Sequence, residues 1–168
     1  MSGLGIPIPP TRQAMVPVKE LNDMMLQECQ SKLSLRTKQH ERQRRFLSEA
    51  EKVISTARLS GGTDFGDGLP RAVVLYREMN AANEQNHEAI AKWRKELSRI
   101  KKIVNPGRAL RSTDLAQANS HLRAFDDKLA EAARDVFDPN FVKIERKRRD
   151  LSRLLNNIRT TGGDPNQQ

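Results

Sequence analysis

The chain has 168 residues and carries 30% charged against 4% aromatic side chains, with a formal net charge of +9. That is the length of one domain, but so little bulky apolar material suits narrow seams between helices better than a thick globular centre. Cys29 is the single cysteine, which excludes an intrachain disulfide and any multi-cysteine metal site and makes a reducing intracellular compartment, cytoplasm or nucleus, the default.

Residues 1–17 read as an extended arm, because Gly3, Gly5, Pro7, Pro9, Pro10 and Pro17 forbid a continuous helix. The arm lacks the basic n-region of a secretory signal; having one Arg and no acidic residue, it leaves an organelle address open. The spacing predicts a first helix over 18–59, stopped by the glycines of SGGTDFGDGLP, and a second over 70–104, with Pro70 in its first turn and NPGR at its end. A third is expected over 113–136 behind a Ser112 or Thr113 cap. DPNF at 138–141 sets Asp at an N-cap and Pro at the first helical position of a fourth, over 139–159. The tail, 161–168, reads as flexible. No apolar run is long enough for a membrane span.

Heptads are the strongest signal. Leu115, Ala118, Leu122, Phe125, Leu129, Ala132 and Val136 alternate spacings of three and four without exception. The other helices carry similar seams with polar interruptions: His40 and Gln43 in the first, Asn83 and Asn86 in the second, Arg148 in the fourth. An antiparallel hairpin about the glycine loop sets Gln43 opposite Asn86, Leu47 opposite Asn83, Arg36 opposite Trp93 and Leu33 opposite Leu97. This is a polar layer that fixes register, since an unmatched buried amide costs about 1–3 kcal/mol. The expected fold is therefore all-α, an elongated antiparallel helical bundle or coiled coil. It forms a single domain over 18–160, a long two-helix hairpin with a shorter helical hairpin packed on one end.

At about 1.5 Å per residue the first helix spans roughly 63 Å and the third roughly 36 Å, so the shorter hairpin would leave the loop-proximal half of the long one as a bare stalk. Phe46, Val53, Val73, Val74 and Tyr76 supply apolar surface there and form the candidate protein-interaction site.

No catalytic constellation is found, and neither a cofactor nor a metal is expected. DFG at 64–66 lacks every companion element of a kinase and reads as a turn. His40, His87 and His121 sit on three different predicted helices without paired ligands at helical spacing, and Cys29 lies on an apolar seam as an inert thiol. Charge is unevenly spread: residues 112–138 hold three basic and six acidic side chains, net −3, whereas 139–160 hold seven and two, net +5. Lys38, Arg42, Arg44 and Arg45, with Lys92, Arg94, Lys95, Arg99, Lys101 and Lys102, and with Lys143, Arg146, Lys147, Arg148 and Arg149, form candidate polyanion-binding stretches.

The expectation from sequence is a non-enzymatic structural or adaptor subunit of a larger assembly, acting through helical contacts with other subunits or with itself. The alternative is a basic helical protein that binds or packages nucleic acid through its phosphates without sequence specificity. Docking of the same cations on an acidic protein surface is a third possibility.

Overall fold

The computed structural model describes residues 17–61 and 66–162, with side chains to residue 160. The arm before residue 17, the tail from 163 and Asp64 and Phe65 of the DFG turn lie outside the described residues. The elements are α1 (Val18–Leu59), α2 (Gly68–Val104), α3 (Ser112–Ala132), a π-helical turn (Ala133–Phe137) and α4 (Asp138–Gly162). The protein is an all-α helical bundle, and no strand occurs among the described residues.

Glycine ends the helices where the sequence requires it. Gly61 (φ 95°) and Gly66 (φ 58°) flank the α1–α2 loop and Gly107 (φ 77°) lies in the α2–α3 connection, all in the left-handed region that costs other residues energy.

Contacts divide the chain into two compact units. The first comprises residues up to Ser34 together with Lys92–Glu131. Its core is the apolar seam of α1, α2 and α3: Leu26, Cys29 and Leu33, then Trp93, Leu97, Ile100 and Val104, then Leu122, Phe125 and Leu129. Trp93 meets Phe125 edge to face at 5.6 Å, the arrangement the ring quadrupoles favour. Asn22 Nδ2 donates to Leu115 O at 2.9 Å and Lys32 pairs with Asp126, so α3 runs in the same direction as α1.

The second unit comprises Leu35–Ala91 and residues from Ala132 onward. The sequence suggests a hairpin between the third and fourth helices, and here the structure differs. No turn forms at DPNF; the backbone stays helical from Ser112 to Gly162. Proline inside an α-helix removes a donor and strikes the carbonyl four residues back. A π turn directly before Pro139 absorbs both effects: Asp138 N–H donates to Ala133 O, five residues back, and Ala132 and Asp138 both keep right-handed helical angles.

α4 consequently lies along the loop-proximal stretch of α1 and α2. Ile144, Leu151, Leu155 and Ile158 join Leu47, Ala50, Ile54, Ala57, Leu69, Ala72, Met79 and Ala82 in one buried cluster. The bare stalk expected from helix lengths is a three-helix bundle. Arg36 Nη2 lies 2.7 Å from Asp138 Oδ1, and its guanidinium stands 5.7 Å from both the Phe137 and Phe141 rings.

Leu151 is fully buried in this cluster, so Leu151→Ala should lower stability in urea unfolding by about 2–5 kcal/mol while helical circular dichroism persists without urea. A loss below about 0.5 kcal/mol, the value of an ordinary surface substitution, would mean that α4 does not cover this stretch.

Candidate functional site

The second unit holds a concentration of buried polar groups. His40 and Gln43 on α1 and Asn83 and Asn86 on α2 occupy heptad positions that would normally be apolar, and all four are buried. His40 Nδ1 meets Asn83 Oδ1 at 3.0 Å, and Leu47 lines the same cleft as Asn83. Further along, Tyr76 Oη donates to Glu51 Oε2 at 3.4 Å. Gln43 and Asn86 turn to α4: Gln43 Nε2 donates to Glu145 Oε1 at 2.7 Å, and Asn140 Nδ2 donates to Asn86 Oδ1 at 3.1 Å.

Sequence reasoning found these polar seam positions and missed Asn140 and Glu145. Both belong to a helix it had placed elsewhere. Gln43 Oε1 and Asn86 Nδ2 remain buried without a partner, one acceptor and one donor. Each costs on the order of 1–3 kcal/mol, so the layer specifies geometry at the expense of stability.

Beside this layer an open cleft of about 430 Å³ lies between α1 and α2, lined by His40, Arg44, Leu47, Ser48, Glu51, Tyr76, Asn80, Asn83, Glu84 and His87. The imidazoles of His40 and His87 approach to 3.3 Å between His40 Nε2 and His87 Nδ1. Burial, opposed by the Asn83 bond, holds the His40 pKa below its ordinary value, and the nearby His87 pushes in the same direction as burial. Burial raises the Tyr76 phenol, and the Glu51 carboxylate beside it adds to the effect. Among the described residues no group of three His, Cys, Asp or Glu side chains converges on a metal-sized point.

The candidate interaction residues are placed unequally. Phe46, Val53, Val73 and Tyr76 are half-buried against the second unit's core, and Val74 is 51% exposed. Arg148 stands over the Phe46 ring at 5.5 Å, so α4 shields part of that surface. A set not singled out from the sequence is also exposed: Val18, Leu21 and Met24 in the first two turns of α1, Met24 at 64%. Their spacing of three along one helix was legible, but they sit off the heptad seam.

The candidate polyanion-binding cations also divide. Arg44 reaches Glu41 at 3.5 Å, Arg99 reaches Glu96 at 2.6 Å, and Arg148 reaches Glu145 at 3.3 Å. Lys147 pairs with Glu78, Lys92 lies over the Trp93 ring, and Arg94 has a partner of its own. Lys38, Arg42, Arg45, Lys95, Lys101, Lys102, Lys143, Arg146 and Arg149 are exposed and make no ion pair among the described residues.

Cys29 is 1% exposed, and burial, with the charge of Asp126 second, pushes its thiol up to about 11. It stays protonated and unreactive at neutral pH. No helix among the described residues is long and apolar enough to cross a membrane. Comparison with known proteins finds no matching family model, no similar curated protein and no similar solved structure.

His40 yields a pH prediction. Its folded pKa lies below the unfolded value of 6.5, so the unfolded chain binds the proton more tightly and stability falls as pH drops below about 6.5. Urea unfolding at pH 7.5 and at pH 5.0 should show lower stability at the acid end, with the difference reduced in His40→Gln. An equal acid loss in that variant would assign the effect to other groups.

Proposed function

We propose that the protein is a non-enzymatic structural or adaptor subunit that acts through helical contacts with other protein chains or with a second copy of itself. The observation that carries this reading is the fate of the apolar side chains. The heptad seams are consumed within the two units, yet Val18, Leu21, Met24, Leu35 and Leu59 on α1, Val74 on α2 and Val142 on α4 remain exposed, and Val18, Leu21 and Met24 follow one another three apart. Large apolar residues three apart on a helix face are what a partner helix or groove takes up. Val74, flanked by the half-buried Val73 and Tyr76, retains part of the loop-proximal surface as a second contact.

The test compares Leu21→Glu with Met24→Glu in one variant and Val74→Glu in another. All three positions are exposed, so circular dichroism should match the unsubstituted protein. Sedimentation velocity or co-purification with partner subunits should weaken in at least one variant. Unaltered assembly in both would remove the reading.

A second reading rests on a specific pattern. Lys38, Arg42 and Arg45 follow at spacings of four and three along α1, all exposed and none paired with a carboxylate among the described residues, and Arg146 and Arg149 repeat the arrangement on α4. Such a stripe suits a phosphate backbone contacted without base readout. Anisotropy of a labelled 30-mer at about 50 and about 200 mM salt should then show affinity falling on the order of a thousandfold if six or more phosphates are neutralised. Weak binding at the lower salt would leave these cations as a solvated face.

A further inference from the structure

Two imidazoles meet in the cleft of the second unit. His40 Nε2 and His87 Nδ1 are 3.3 Å apart, and their ring centroids are 5.2 Å apart with the planes tilted by 37°. Two nitrogens bound at about 2.05 Å to one tetrahedral ion lie about 3.3 Å from each other, with ring centroids about 5.2 Å apart. A straight N–H···N bond of the same length would hold the centroids about 5.6 Å apart. The observed pair is bent away from the straight arrangement and has the separations of a bis-imidazole chelate.

The surroundings supply what such a chelate needs. His40 Nδ1 lies 3.0 Å from Asn83 Oδ1. Donation of Nδ1–H to that oxygen holds the tautomer in which Nε2 is bare, the role a carbonyl or carboxylate behind a metal-bound histidine usually has. His87 is solvent-exposed, so an ion can reach the pair through the cleft. Glu84 precedes His87 by three residues on α2, which puts both on one helix face, and it lines the same cleft.

We propose that His40 Nε2, His87 Nδ1 and the Glu84 carboxylate form a site for a divalent transition-metal ion of the zinc class. Two protein ligands are already in position. Because no three such side chains converge among the described residues, Glu84 turns into the cleft on binding and water fills the fourth position. Metal binding needs both facing nitrogens bare, so a hydrogen on His87 Nδ1 moves to His87 Nε2 of the same ring as the ion enters. Two imidazoles select zinc, cobalt or nickel over magnesium or calcium, which prefer oxygen. Arg44 also lines the cleft and opposes a cation, but it is 66% exposed and reaches Glu41, so it can swing outward. This proposal is independent of the adaptor reading.

The test uses the full chain after chelator treatment, titrated with Zn²⁺ by calorimetry and with Co²⁺ by its visible ligand-field bands. The expected result is one ion per chain with no metal-induced change in sedimentation. His87→Ala, at an exposed position, should keep the helical spectrum and weaken binding at least about tenfold. Glu84→Gln should weaken it as well, and Arg44→Ala should tighten it. The chain has three histidines, so His121→Ala is the control and should bind as the unsubstituted protein does. No binding at millimolar metal, or equal binding in His87→Ala, would overturn the proposal.

Discussion

A buried hydrogen-bonding group must find a partner or cost the fold dearly, and the second unit is arranged around four of them. His40, Gln43, Asn83 and Asn86 lie where a helical bundle would ordinarily place aliphatic side chains. An apolar seam tolerates a slip of one heptad because one leucine packs much like another. An amide or imidazole does not, since after a slip it meets carbon instead of a donor or acceptor. His40 with Asn83 sets α1 against α2, Gln43 with Glu145 sets α1 against α4, and Asn86 with Asn140 sets α2 against α4. Each pair of helices in the unit is thus pinned by a polar contact as well as by the apolar cluster around Ile144, Leu151 and Met79.

The same constraint explains why α4 belongs where it is. Asn140 and Glu145 can reach the layer only if the chain continues past Pro139 instead of doubling back. The π turn over Ala133–Phe137 makes continuation compatible with proline, and Arg36 secures the start of α4 through Asp138 and the two phenylalanine rings. An ion pair between partly exposed groups is worth little alone, but two rings beside the same guanidinium add cation–π attraction of about 0.5–1 kcal/mol each.

Much of this could be read from the residues. The heptads of α3 are unbroken, the glycines at 61, 66 and 107 mark real chain reversals, and the polar interruptions of α1 and α2 do form one layer. What the residues did not disclose was the meaning of DPNF. Asp followed by Pro begins many helices, and one-dimensional reasoning cannot distinguish a fresh start from a widened turn that carries an existing helix onward, because both use proline's fixed φ and missing donor. A hairpin at that junction would put Glu145 and Asn140 out of reach of the layer and leave the loop-proximal apolar residues uncovered. The cleft was invisible for a different reason: His40 and His87 are 47 positions apart, and only the register of α1 on α2 brings them together.

The layer's apolar neighbours are used internally, the outer faces carry cations that make no ion pair among the described residues, and the open side presents two imidazoles in a cleft. His40 and Asn83 act as a unit that fixes α1 on α2. A double-mutant cycle in urea unfolding, with His40→Ala, Asn83→Ala and both together, measures that dependence. The expected coupling energy is about 1–2 kcal/mol, because each single change leaves a buried polar group unmatched and the second change removes that group. Strictly additive losses would show that the two residues do not depend on each other, and the register would then have to be set by apolar packing alone.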